Sequence, residues 1–217
     1  MDTISIIAVA LGAAWASGIN LYATILMLGL MGLTGSMDLP AELEILENPM
    51  VLIAAGLMYF IEFFADKIPG VDTAWDAIHS FIRIPAGALL AGAAFAEISP
   101  AAELIGLILG GTLSAGTHFT KAGSRVLINT SPEPVTNWTA SIGEDVAVVA
   151  GLWTALNYPV LFIVLLAVFV ALAIWIMPKL WRGIKAIFAK IRGWFSKHPS
   201  GPSDTSAEID RGTGKMD

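Results

Sequence analysis

Six long apolar runs divide the chain: Ile4–Leu33, Met50–Ala65, Ile84–Ala96, Ala101–Ile128, Ser141–Leu156 and Pro159–Met177. Short, crowded polar stretches separate them. A helix needs about 20 apolar residues to cross a hydrocarbon core of ~30 Å, so the pattern predicts an all-α polytopic membrane bundle of about six spans. Ile84–Ala96 is short and is expected to extend N-terminally into the polar stretch before it. Ile4–Leu33 and Ala101–Ile128 are overlong, and each carries small and polar residues near its middle. Domain bounds follow: a transmembrane helical domain over 1–177, a basic amphipathic interfacial helix over 178–197, and a disordered tail over 198–217.

Composition agrees. Hydrophobic residues make up 56% of the chain and charged residues 14%, against about a quarter charged in soluble domains. There is no cysteine, which excludes disulfides and thiolate metal sites. Met1-Asp2-Thr3 lacks the basic start of a cleaved signal peptide, so the first run is read as structure.

Charge placement predicts orientation. With six spans, all 12 Lys and Arg residues fall on the side of the C-terminus. The opposite loops carry Asp38, Glu42, Glu44, Glu47 and Glu97 and no base. The positive-inside rule then puts both termini in the cytoplasm. After the last run, Leu180, Ile184, Ile187, Ile191 and Trp194 recur at helical spacing among Lys and Arg, the pattern of a helix lying on anionic lipid.

"LGAAWASGINLYAT" (Leu11–Thr24) and "LGGTLSAGTHFTKA" (Leu109–Ala122) echo each other, with Asn20 and His118 in register after a central glycine. If both spots break their helices, the chain is a 3+3 inverted repeat with broken first and fourth helices, an architecture in which breaks mark binding sites. The plainer alternative is that small residues allow close helix packing.

The candidate chemistry is polar and sits on the basic side. In "EFFADKIPGVDTAWDAIHSFIR" (Glu62–Arg83), Glu62 and Asp66 share a helical face and Pro69-Gly70 breaks the helix. A short interfacial amphipathic helix then puts Asp72, Asp76, His79 and Arg83 on one face. Asp72, Asp76 and His79 are a candidate oxygen-rich metal set; ordinary i, i+4 pairing explains the same spacing. Glu62 lies one turn inside an apolar run, where a carboxylate is costly and must be partnered or functional. Further along, His118, Lys121 and Arg125 share a face, Ser131–Pro134 reads as a stiff turn, and Glu144 and Asp145 follow as acids able to neutralise the two bases. Asn137-Trp138-Thr139 matches a glycosylation acceptor but is expected on the cytoplasmic side. With Asn20, Tyr22 and Lys67, these residues are the candidates for binding or transport.

No phosphate-cradling glycine loop, HExxH or nucleophile elbow occurs, so no cofactor is expected. No basic patch suits nucleic acid outside the lipid-facing tail. "ASGINLYATI", "EFFADKIPGVDTAWDAIHSFIRIPAGALL" and "HFTKAGSRVLINTSPEPVTNWTASIGED" resemble the hallmark stretches of small bacterial membrane proteins grouped as domain of unknown function 4126. The resemblance covers roughly Ala8 to Leu180 and implies a bacterial inner-membrane location, without implying an activity. The leading expectation is a transporter or channel for an ion or small solute, with a cation or proton-coupled solute favoured by the acidic excess. The alternatives are an anionic-lipid-handling protein, a non-transporting scaffold, or an intramembrane enzyme using His79 or His118. Homo-oligomerisation is left open.

Overall fold

The computed structural model describes residues 2–68, 70–130 and 134–196. The expected turn over 131–134 therefore lies largely outside the described residues, as do Pro69 and the expected disordered tail. All regular structure among the described residues is helical: α1 (Thr3–Leu33), a 3₁₀ segment (Ala41–Glu47), α2 (Pro49–Ala65), α3 (Val71–Ala96), α4 (Pro100–Ile128), α5 (Pro134–Asn157) and α6 (Pro159–Ser196). One compact unit covers Met1–Ile184 and a second starts at Lys185. By length and apolarity α1, α3 and residues Pro159–Ala189 of α6 can cross a membrane. The 3₁₀ segment and α2, bent by 66°, form a fourth candidate together.

Each apolar run became a helix, and the ends have local causes. Asp2 caps α1 by accepting from the Ser5 N–H at 2.7 Å. Asn48 caps α2, Ser99 caps α4 at 3.1 Å, and both caps stand just before a proline, which suits a first helical turn. Gly70, at φ +86°, supplies the left-handed turn between α2 and α3.

Two expectations are corrected here. The stretch from Asp72 to Arg83 is no separate interfacial helix. It is the first half of α3, with Asp72, Asp76, His79 and Arg83 buried and Ile78, Phe81 and Ile82 exposed. In lipid an apolar outer face costs nothing, while charges must find partners inside. Nor does α6 end at Met177: it runs past Pro178 without a break. Contacts give the direction of α1 within the bundle. α1 packs antiparallel to α5, with Gly12 against Ala155, Trp15 against Gly151 and Asn20 bonded to Asp145. Against α3 it is antiparallel too: Gly87 faces Ala14, and Ser17 donates to the Arg83 carbonyl. The start of α1 therefore lies at the end of the bundle where α5 meets α6, while Leu180 and Ile184 of α6 pack beside Gly123 near the other end of α4. Thr3 and Ile184 are thus at opposite ends of the bundle.

The tightest packing is where α1, α3 and α4 cross. A Cβ on Gly18 would come within 2.5 Å of the Ser114 carbonyl oxygen and 2.8 Å of the Thr117 Cβ, and a Cβ on Gly87 would collide with the Ser114 side chain. Ser17 and Ser114 both donate to the Arg83 carbonyl, at 3.0 and 2.9 Å. The three helices are pinned at one point, immediately beside the buried charges.

Candidate functional site

α1 breaks where the sequence suggested. Asn20 has φ −147° and ψ 98° inside an otherwise helical run. In an unbroken helix the Ala23 N–H would donate to the Ile19 carbonyl. Here it donates instead to Asn20 Oδ1 at 3.0 Å, so Asn20 acts as the N-cap of the second half of α1. The freed Ile19 carbonyl accepts from Lys121 Nζ at 3.1 Å. Asn20 Nδ2 donates to Asp145 at 3.0 Å. Both ends of the break are thus held by charged side chains of α4 and α5.

α4 does not break. It is helical from Pro100 to Ile128 through Ala115–His118, which overturns the expected second interruption. The two echoing segments do touch, through Gly18 and Ser114–His118, but as a close crossing. His118 cannot do what Asn20 does, because its longer side chain does not fold back onto its own backbone as a cap. Its Nε2 lies 2.6 Å from Ser80 Oγ on α3.

Lys121 lies inside a ring of carboxylates. Its Nζ is 3.0 Å from Asp66, 3.5 Å from Glu144, 3.6 Å from Asp76 and 3.9 Å from Glu62. Arg83 bridges Glu62 at 2.7 Å and Asp76 at 2.9 Å. Arg125 holds Glu144 in a two-point fork, Nε to Oε1 at 3.1 Å and Nη2 to Oε2 at 2.6 Å. Its Nη1 donates to the carbonyls of Asp66 and Asn137. Glu62, Asp76, Arg83 and Arg125 are almost wholly shielded, and Glu144 is the most accessible member. Four helices, α2 to α5, therefore converge on one network beside the break in α1.

The other candidates flank it. Lys67 donates to the Phe63 carbonyl at 2.8 Å and to Ser141 at 3.3 Å. Asp145 accepts from Asn20 Nδ2 and is also hydrogen-bonded to Tyr59. Asp72 is held by Asn129 at 2.7 and 2.9 Å and belongs to the turn at the start of α3. His79 Nδ1 faces the Trp75 carbonyl at 2.9 Å and Nε2 faces the Tyr22 hydroxyl at 3.1 Å. The carbonyl only accepts, so Nδ1 carries the hydrogen and Tyr22 donates to Nε2. The candidate metal set dissolves: Asp72 goes to Asn129, Asp76 to Arg83 and His79 to Tyr22. No group of three His, Asp or Glu able to hold a metal converges among the described residues. Asn137, the glycosylation match, is buried and donates to Asn129.

Sequence reading missed Asn129, Ser17, Ser80, Ser114 and Ser141. Asn129 was legible, standing four residues beyond Arg125 on the stripe that begins at Lys121. Ser141 likewise precedes Glu144 on one face of α5. The serines of the crossing carry no signal apart from the small residues around them.

The Asn20 break, the Glu62–Arg83 stretch and the α4 stripe lie in the three stretches that carry the resemblance, and the family's model spans them. The match to domain of unknown function 4126 runs over residues 7–179. This chain belongs to that family. No curated protein and no solved structure matches it.

Proposed function

We propose that this member of the 4126 family is a transporter of a small solute or ion in a bacterial inner membrane. The observation that supports this most is the helix break at Asn20, whose freed Ile19 carbonyl is held by Lys121, itself shared among four carboxylates. Discontinuous helices with freed backbone groups beside ionisable residues are the usual way transporters build a site within the membrane, and intramembrane charges mark solute and ion paths. The carboxylates outnumber the bases, which favours a cation or proton-coupled solute. The two arms of α1 meeting at Asn20 are the element that moves. Lys67, Arg83, Lys121 and Arg125, with Lys179 and Arg182 of α6, share one end of the bundle, so the positive-inside rule favours a cytoplasmic position for that end. Lys179 and Arg182 on α6 suit contact with anionic headgroups.

A second reading has its own support. Asn20, Glu62 and His118 are buried, and the grooves bounded by Trp15, Phe162 and Trp153 are apolar and lie on the α5–α6 flank. A sealed network suits a scaffold whose charges are all structural, and it equally suits the closed state of a transporter. Reconstitution separates the two. Purified protein in proteoliposomes with an entrapped pH dye is expected to dissipate an imposed proton gradient faster than empty liposomes. Glu62→Gln should abolish the difference and Asp72→Asn should leave it. Wild-type flux no greater than that of empty liposomes, under proton, sodium and potassium gradients in turn, would decide for the scaffold.

A further inference from the structure

The network is unbalanced in a specific way. Glu62, Asp66, Asp76 and Glu144 face Arg83, Lys121 and Arg125 within ion-pair distance, four carboxylates against three cations. Glu144 has both oxygens bound by Arg125. The other three each have one bound oxygen and one buried oxygen without a hydrogen-bond partner: Glu62 Oε2, Asp66 Oδ1 and Asp76 Oδ2. We propose that this network holds one exchangeable proton, that the Glu62 carboxyl carries it, and that it is the coupling ion of the transport reading above, on which the last clause alone rests.

A proton fits better than a metal cation. The carboxylates do not converge on a common point; the guanidinium and ammonium groups stand between them, and no three acidic or histidine groups share a site among the described residues. A proton needs only one oxygen, and the orphaned Oε2 offers one. Attachment there leaves three carboxylates against three bases. The cations do not separate the three possible carriers: Glu62 has Arg83 at 2.7 Å and Lys121 at 3.9 Å, Asp76 has Arg83 at 2.9 Å and Lys121 at 3.6 Å, and Asp66 has Lys121 at 3.0 Å and Arg125 at 3.7 Å. Burial does, because it favours the neutral carboxyl: the Glu62 side chain is 0% exposed, against 1% for Asp76 and 5% for Asp66. Glutamic acid is also the weaker acid of the two types. The groups facing Glu62 come from every neighbouring element: Tyr22 from α1, Tyr59 and Asp66 from α2, Asp76 and Arg83 from α3, Lys121 from α4. Glu144 of α5 reaches it through Lys121.

The geometry also couples the proton to the break. Lys121 Nζ divides its donors between the Ile19 carbonyl and the carboxylates. When Glu62 loses its proton, the added negative charge 3.9 Å away draws the ammonium from Ile19 and releases the end of the first arm of α1. When Glu62 is protonated, Lys121 stays on the carbonyl and the break is locked.

Infrared difference spectroscopy on the full chain in lipid, stepped from acid to alkaline buffer, tests this. The accessible carboxylates and histidines titrate in every variant, so the difference between variants carries the signal: the wild type should lose one buried protonated-carboxyl stretch and release about one proton more per chain than Glu62→Gln. Asp72→Asn should keep that band. Glu62→Asp keeps a carboxyl and should shift the band, which decides the matter if the glutamine variant does not fold. A band that survives unshifted in Glu62→Gln or Glu62→Asp, or the lack of any band in the wild type, overturns the proposal. A Glu62 proton in a protein without flux would sink the transport reading and leave the proton site standing. Flux with no carboxyl band would do the reverse.

Discussion

Lys121 and Glu62 sit side by side in the same network, yet removing them should have opposite consequences. Lys121→Met deletes one of three cations, leaves the Ile19 carbonyl without its donor, and raises the acid surplus in a buried setting. Stripping one partner from a buried ion pair costs about 3–5 kcal/mol, so this variant should unfold well below the wild type in a thermal melt in detergent. Glu62→Gln removes the surplus, and Arg83 keeps Asp76 at 2.9 Å; its melting point should stay near the wild type. Equal losses in the two variants would mean that the four-to-three imbalance has no energetic reality. Much of this network was legible in the sequence, because Glu62, Lys121 and Arg125 are conspicuous in so apolar a chain. What could not be read was who pairs with whom. Arg83 was expected to serve an interfacial helix apart from Glu62, and it is in fact the closest partner of Glu62. Helical spacing places a residue on a face of its own helix and says nothing about which neighbour that face meets.

At the scale of elements, the bounds of α1, α2 and α4 followed from the apolar runs to within one residue and the extension of α3 into the polar stretch was foreseen, whereas α5 starts well before the expected Ser141 and α6 runs on past the expected Met177. The paired helix breaks were half right. Small residues with a central glycine are the common signature of a break and of a close crossing, and only the residue two places beyond the glycine separates the cases. Asn20 caps a new helix; His118 cannot. The two glycines should therefore respond differently to the same change. A Cβ on Gly18 would run into the Ser114 carbonyl at 2.5 Å, while one on Gly116 meets nothing within 4 Å. Gly18→Ala should cost about 1–3 kcal/mol through overpacking, and Gly116→Ala should be neutral or gain up to about 1 kcal/mol through helix propensity. Asn20→Ala should cost about 1 kcal/mol for the lost cap, and Asn20→Asp should recover that loss only where Asp145 is also made Asn, since Asn20 donates to Asp145. Denaturant titrations of helicity in detergent read all of these.

For the molecule as a whole, the expectation that α1 starts in the cytoplasm rested on counting six spans, because an uncharged run carries no mark of its own of which end faces which side. Contacts settle its first arm: from Gly12 to Asn20 it runs antiparallel to α3 and α5 and ends at the charged network. The route of the second arm follows from α2. α2 packs antiparallel to it, with Gly56 by Leu26 and Leu52 by Gly29, and brings Glu62 and Asp66 back to the network. Ile53, Leu57, Phe60, Ile61 and Phe64 of α2 are exposed and need lipid around them. Seventeen residues of helix span about 25 Å, so with the network near the cytoplasmic face α2 starts near the opposite face. If the second arm of α1 follows α2 back from Asn20 to that face, α1 is a re-entrant hairpin with the break at its tip, and Glu42 and Glu44, exposed in the 3₁₀ segment, are expected outside. On that arrangement Glu42, Glu44 and Glu47 are still expected on the side opposite Lys67, Lys121 and Arg125, so the charge asymmetry survives while Thr3 is expected to change sides. Single cysteines at Thr3, Glu44 and Arg182 in an otherwise cysteine-free chain test this in intact cells. A membrane-impermeant maleimide should label Thr3→Cys and Glu44→Cys from the periplasm and reach Arg182→Cys only after the inner membrane is permeabilised. Labelling of Thr3→Cys only after permeabilisation would return α1 to a simple inside-to-outside span and remove the hairpin.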